Sequence, residues 1–324
     1  MNPCPHREWV LQEITKWSKG FSHYNQKTTY AALLFTEYLF NGYKSRERLL
    51  NANKLMEFFV YMDNDMERAR RERSPELLRE LMDKLLNAME SGRCDQGFDS
   101  GRRLLDVMSI LDAQMNECWK SNMRQHLRNM FVTQTRVHCD YWLKDRFIPY
   151  DEYNDIRLQE SGWPLMLTLV EYLMDYTLPE AVRNHPLMYE FMSSAAKLSL
   201  AVDDYMLLKA KLATNDITSG VLSYAHSQGC SVQSALDFQY MNVKHLEREC
   251  QSLRTTIMAN PTLSAEPLDP YMDVIIQTSY GMYCVFQEIL KFEVRDGVLS
   301  CEKWDQLNQL VVDSNVCDVN PFKI

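Results

Sequence analysis

Apolar residues recur at intervals of three and four along almost the whole chain, and alternating runs of β-branched residues are hard to find, so the pattern predicts an all-α protein. The periodicity predicts helices over 6–19, 27–40, 46–68, 75–90, 99–129, 131–145, 150–160, 163–175, 179–183, 186–212, 216–227, 231–258 and 268–294. Local signals mark several starts. Ser74 stands before Pro75 and Glu76, a capping hydroxyl ahead of a first-turn proline and an acid, and Ser231 precedes the long amphipathic run VQSALDFQYMNVKHLEREC. Ser161-Gly162-Trp163-Pro164 interrupts two helical stretches, because glycine relaxes the backbone and proline cannot continue a preceding helix. After about residue 296 the periodicity weakens, which reads as an appendage (296–324) packed on or capping a single domain of residues 1–295.

Composition narrows the function. Hydrophobic residues make up 46% of the 324 residues and the few glycines (10) and prolines (11) form no linker, which favours one large core. A net charge of −9 lacks the cationic footprint of a nucleic-acid binder, and a phosphorylated ligand would need a local cationic site with metal help. The nine cysteines are scattered, with no CxxC pair, and read as reduced thiols of a cytoplasmic protein. No apolar run reaches the roughly 18 residues of a spanning helix, and the first residues show no signal-peptide core, so no membrane span is expected.

Two stretches carry acid into apolar helices. FFVYMDNDMERA, from Phe58 to Ala69, is apolar on nearly every face up to Met62 and then delivers Asp63, Asn64, Asp65 and Glu67. Asp63 and Glu67 stand four apart on one helical face, with Asn64 beside them. Carboxylates converging on an apolar wall repel unless a cation lies between them, and one or two carboxylates completed by water and phosphate oxygens is the set magnesium takes. The basic run ERARRER that follows keeps a solvated helix end as the alternative. In KLSLAVDDYMLLKAKLATND, Asp203 and Asp204 lie among Leu198, Leu200, Val202, Met206, Leu207 and Leu208. Buried charge needs a partner, which leaves a cavity, a metal, or pairing with Lys209 or Lys211. Two acid clusters flanked by aromatics together describe a deep apolar pocket with metal and diphosphate at its mouth.

With these residues in view, the chain up to about residue 295 resembles a class I terpene cyclase of the microbial type, close to fungal sesquiterpene synthases whose metal motifs have degenerated. NPCPHREWVLQEITKWSKGF is similar to the family's N-terminal helix, and RLLNANKLMEFFVYMDNDMERA to the helix ending in its aspartate-rich motif DDxx(D/E), here with Asn64 in the second place. EYNDIRLQESGWPLMLTLVEY resembles the segment with the diphosphate-sensing arginine, matched by Arg157, and the helix break, matched by Ser161-Gly162. The family's second motif, (N/D)Dxx(S/T)xxxE, falls at Asp203, 46 positions after Arg157 as the family's spacing requires. In that register Asp203 and Asp204 fill the first two places, Leu207 replaces the hydroxyl ligand and Lys211 the glutamate. A second register, Asn215-Asp216 through Ser219, ends at Ser223 and would put Leu169 at the sensor position, so the first is preferred. Lys291-Phe292 stand in place of the family's arginine-tyrosine pair.

The resemblance implies a single-domain class I terpenoid synthase-type helical bundle around a deep apolar active-site cavity. It implies magnesium, with fewer than three ions fully ligated by protein, held by Asp63, Asn64, Glu67, Asp203 and Asp204. Arg157, Lys211 and Lys291 become catalytic cations, with Lys211 standing where a metal's charge would have been or simply pairing with Asp203 or Asp204. Phe58, Phe59, Tyr61, Ser161, Trp163, Tyr205, Leu207, Tyr280, Tyr283 and Phe286 become pocket residues, although an aromatic on a core helix is more often packing. The implied activity is ionisation of farnesyl diphosphate and closure of the allyl cation to a cyclic sesquiterpene, with a humulene-type medium ring as the product the eroded motifs suggest. Prenyl transfer to a small nucleophile and inactive binding of a prenyl diphosphate are the alternatives, the latter disfavoured by the acids and Arg157 kept in a core. The partners expected are the prenyl diphosphate and, for the chain itself, a homodimer.

Overall fold

Asn25, Ser45, Ser74, Asn116 and Ser231 each turn a side-chain oxygen onto the free backbone N–H groups of the helix that follows, and these caps fix where the elements begin. The computed structural model describes residues 4–213, 216–263 and 266–293. Every regular element among them is helical: α1 (Arg7–Ser18), α2 (Gln26–Leu39), α3 (Arg46–Arg71), α4 (Pro75–Ser91), α5 (Asp99–Asp112), α6 (Glu117–Asp140), α7 (Tyr150–Glu160), α8 (Trp163–Met174), α9 (Glu180–Arg183), α10 (Pro186–Ala213), α11 (Gly220–Gln228), α12 (Val232–Ala259) and α13 (Leu268–Glu293), with a short 3-10 turn at Trp142–Lys144. None of these helices is long and apolar enough to cross a membrane. The expected appendage at 296–324 and the side chains of Lys291 and Phe292 lie outside the described residues.

The predicted helix over 99–129 is divided in the structure. α5 stops at Asp112, and Asn116 accepts the N–H of Trp119 at 3.0 Å, so a new helix starts where an unbroken one was expected. That second helix runs straight through Met130 to Asp140, which removes the predicted break before 131. The helix expected from 216 begins instead at Gly220, because Ser219 is extended and Asp216 N–H turns back to Lys211 C=O at 2.8 Å.

α10 is the central member and packs on α12, α13, α8 and α7, while α2 lies between α3 and α13. Together α2, α3, α6, α7, α8, α10 and α13 surround an apolar space. Two glycines set its walls. Gly162 (φ 73°) takes the left-handed turn that separates α7 from α8, and a side chain there would meet Met130 Sδ at 2.9 Å. At Gly281 an added Cβ would fall 1.9 Å from the Tyr38 carbonyl oxygen, so only glycine lets α13 lie this close to the end of α2. That approach brings Phe286 edge-on to Phe35, with ring centroids 5.9 Å apart.

Gly281→Ala should therefore cost about 1–3 kcal/mol of stability by forcing the two backbones apart. The midpoint of thermal unfolding read by circular dichroism should fall by several degrees, and an unchanged midpoint would contradict this packing.

Candidate active site

The space inside the bundle is a cavity of about 510 Å³, within the roughly 300–1,000 Å³ of small-molecule sites. α2 contributes Phe35 and Leu39, α3 Phe59 and Val60, α8 Trp163 and α13 Phe286 to its apolar walls. Methionines 56, 62, 66, 130, 166 and 282 fill much of the rest with flexible, polarizable side chains. At one end the lining turns polar, with Asp63 and Asn64 from α3, Arg157, Glu160 and Ser161 from α7 and the break after it, and Asp203 from α10.

Helical rotation decides which neighbours reach this cavity. On α3, Met56, Phe59, Asp63 and Met66 recur at intervals of three and four and share the inner face. Phe58 and Tyr61, also expected there, turn away: Phe58 is buried against Phe131, and Tyr61 accepts the Asn25 N–H at 2.7 Å with its ring against Arg103. Asp65 turns out as well, accepting from Ser100 Oγ at 2.6 Å in a separate surface concavity. On α10, Asp203 and Leu207 face inward four residues apart, whereas Asp204 and Tyr205 are rotated outward, Tyr205 onto Tyr240. On α13 the inward pair is Met282 and Phe286; Tyr280 bonds Glu247, and Tyr283 does not line the cavity.

Asp204, expected to bind metal, instead anchors a buried polar cluster. It is 1% exposed and accepts both the Tyr153 hydroxyl, at 2.7 and 2.8 Å to its two oxygens, and Lys211 Nζ at 3.4 Å. Gly220 makes room for it, since a Cβ there would lie 2.7 Å from Asp204 Oδ2. Lys211 Nζ also donates to the Thr218 carbonyl at 2.6 Å and stands 3.6 Å from Asp203 Oδ2. Arg157 donates through Nε to Tyr153 Oη at 3.2 Å, pairs with Glu160, and lies 3.6 Å from the same Asp203 oxygen. Burial works against the Arg157 charge, yet Tyr153, Asp204 and Asp203 around it keep the guanidinium firmly protonated. Burial, reinforced by Asp204, pushes the Tyr153 phenol well up, so it stays a donor.

The α3 side differs. The Asp63 side chain is 62% exposed at the mouth, wetted from outside and walled by protein behind. Loss of hydration raises its carboxyl, Arg70 opposes the rise, and the charges of Asp216 and Glu67 add to it. Asp216 goes the other way: burial would raise it, but Lys211, Arg70 and bonds from Thr218 hold it down at about 2. Arg70, which the sequence reading passed over, lies 3.4 Å from Glu67 and 3.9 Å from Asp63. Its position three residues after Glu67 and seven after Asp63 was the available signal.

The donors suit a hard divalent cation best on the α3 side. Asp63, Asn64 and Glu67 offer oxygens and leave most of a coordination shell to water and phosphate, as magnesium prefers. Across the mouth Asp203 is shared by two cations and Leu207 has no donor. Among the described residues no three His, Cys, Asp or Glu side chains converge into a metal cage. The described cysteines are not joined in disulfides.

Tyr153→Phe removes the donor that satisfies Asp204 and should lower the unfolding free energy by about 1–3 kcal/mol in a denaturant titration. A second test uses His138, which burial, helped by Arg70, lowers from 6.5 to about 3. Stability from this neutral ring is complete above pH 6.5 and is lost as pH falls toward 3, because the unfolded chain takes up a proton that the folded one does not. His138→Gln should flatten that part of the stability profile.

A family model described as terpene synthase family 2, C-terminal metal binding, matches residues 54–249. A stretch of 82 residues, 25% of this chain, is 30% identical to terpene cyclase braA of Annulohypoxylon truncatum and spans only 22% of that protein's length. In fold, the chain is similar to the linalool/nerolidol synthase of Streptomyces clavuligerus in complex with 2-fluorogeranyl diphosphate (TM-score 0.77, 12% identity, 88% of this chain and 100% of that one). It is also similar to the germacradien-4-ol synthase of Streptomyces citricolor (TM-score 0.75, 16% identity, 89% and 95%) and to a cucumene synthase variant (TM-score 0.75, 13%, 89% and 98%). The chain therefore belongs to terpene synthase family 2 and has the all-α fold of the class I terpene synthases.

Proposed function

We propose that this protein is a sesquiterpene cyclase that ionises farnesyl diphosphate with the help of magnesium and closes the resulting allyl cation into a cyclic product. The observation that carries the reading is one cavity of about 510 Å³ with aromatic and methionine walls and a mouth where Asp63 and Asn64 face Arg157 and Asp203. A prenyl diphosphate has the matching polarity, an apolar chain with an anionic head. The ligand named for the Streptomyces clavuligerus neighbour belongs to the same chemical class.

The C1–O bond breaks with its electron pair staying on the diphosphate, so catalysis requires positive charge where that negative charge develops. Arg157 at the cavity wall and Lys211, which does not line the cavity but stands against Asp203, supply two fixed positive charges on this side of the leaving group. Their aim is preset by Tyr153, Asp204 and the Thr218 carbonyl, so little reorganisation accompanies ionisation. Asp63, Asn64 and Glu67 would hold a divalent ion, which would add to the neutralisation of the diphosphate. Lys211 takes the position of a lost metal ligand and carries charge of the opposite sign, which supports a site needing fewer than three protein-held ions. Behind the mouth, Phe35, Phe59, Trp163 and Phe286 bring aromatic rings to the wall, where their quadrupoles can steady a cation.

Incubation of purified protein with farnesyl diphosphate and magnesium should give a cyclic sesquiterpene in the organic extract, read by gas chromatography and mass spectrometry, and nothing without magnesium. A humulene-type ring is the product expected. Absence of any terpene while pyrophosphate still binds would favour prenyl transfer or a silent binder. Lys211→Met, which keeps the stem and removes the charge, should lower turnover by about 100-fold or more; an unchanged rate would remove Lys211 from the mechanism.

A further inference from the structure

We propose that Arg70 is a diphosphate-binding cation on the α3 side of the mouth and that buried His138 is the residue that positions it. The inference rests on the reading that the mouth receives a diphosphate. It concerns two residues that belong to neither metal motif.

Arg70 lies in the last turn of α3 with its side chain only 15% exposed. Its Nη1 edge points at the acids, 3.4 Å from Glu67 Oε2 and 3.9 Å from Asp63 Oδ1. Its other edge is held by α6, where Nε donates to His138 Nε2 at 2.8 Å and Nη2 approaches the same nitrogen. A guanidinium has no acceptor, so His138 Nε2 must carry the lone pair and the ring proton must sit on Nδ1. That assignment fits the opposite side of the ring, where Nδ1 donates to the Gln134 carbonyl at 3.0 Å. His138 is 1% exposed and stacks on Trp142, with ring centroids 6.5 Å apart. A neutral ring held on both sides thus grips the arginine without sharing its charge.

An arginine whose only task was an ion pair with the acid one turn back would keep its freedom in water, since such pairs contribute little. This one is immobilised by a buried acceptor from another helix, at the entropic cost of a long side chain. The result is a fixed fork aimed at the carboxylates beside the cavity mouth. Arg157 and Lys211 stand on the Asp203 side and Arg70 on the Asp63 side, so the cations bracket the opening from two directions. A phosphate oxygen entering between them can accept from Nη1 in place of Glu67, and a planar guanidinium suits that acceptor well.

The test is calorimetric titration of the full chain with inorganic pyrophosphate in magnesium buffer, with thermal unfolding of every variant as the control for folding. Arg70→Gln should weaken pyrophosphate binding by about tenfold or more, the loss of one charge-assisted contact. His138→Leu keeps the arginine but frees it and should weaken binding several-fold, whereas His138→Gln, whose amide oxygen can stand where Nε2 was, should restore most of the affinity. If Arg70→Gln does not fold, Arg70→Lys keeps the charge, loses the fork and should still bind more weakly than wild type. In the substrate assay the same variants should raise KM for the diphosphate more than they lower kcat. Folded Arg70 variants that bind pyrophosphate like wild type would overturn the role of Arg70, and an unchanged His138→Leu would overturn its positioning by His138. Wild-type protein that binds no pyrophosphate would overturn the functional reading itself, a result distinguishable from either.

Discussion

The chamber depends on a buried set of charges that ties α7 to α10 and to the turn before α11. Tyr153, Arg157 and Glu160 come from one helix, Asp203, Asp204 and Lys211 from another, and Thr218 from the turn. Isolated charges could not remain in this interior, because each would lose its hydration without return. Collected into one cluster they satisfy one another, and removal of a single charged partner would leave uncompensated charge at a cost of about 3–5 kcal/mol. The helices can therefore adopt few relative rotations that keep every member paired. In the rotation adopted, Asp203 and Arg157 border the cavity while Asp204 and Tyr153 form the support behind them.

This division explains the asymmetry of the mouth. On the α10 side the acid is already compensated by two fixed cations. On the α3 side Asp63, Asn64 and Glu67 remain at the opening, with Arg70 their close cationic neighbour. The two walls thus differ in electrostatics, because the acid of one is held between two buried cations while the oxygens of the other stand at the opening. Beyond the polar rim, rigid rings and flexible methionines make an apolar lining that can adapt its shape.

Much of the fold was legible because capping and periodicity are local. Ser74 and Ser231 start helices as their flanking residues imply, and Ser161-Gly162 separates two helices through a left-handed glycine. Apolar periodicity continues across the join near Asn116 and hides it, whereas the capping asparagine marks where the new helix starts. In the site, Asp63, Phe59, Arg157, Ser161, Trp163, Asp203, Leu207 and Phe286, all singled out in the sequence, line the cavity. Phe58, Tyr61, Asp204, Tyr205 and Tyr280 point elsewhere although each stands within two positions of a residue that faces in, because each helix turns only part of its circumference to the cavity and these fall on the remainder.

By itself, then, the sequence determined an all-α chain, the two acid-bearing helices and the 46-residue interval that links Arg157 to Asp203. These are properties of spacing along one chain, and spacing survives without knowledge of what each helix packs against. Only the tertiary structure decided which face of each helix meets the cavity, since periodicity relates residues to one another and leaves the rotation of the whole helix to its neighbours. It also decided contacts between distant positions. Arg70 and His138 lie 68 residues apart, each unremarkable on its own helix, and the buried hydrogen bond between them exists only because α3 and α6 are brought together by the surrounding core.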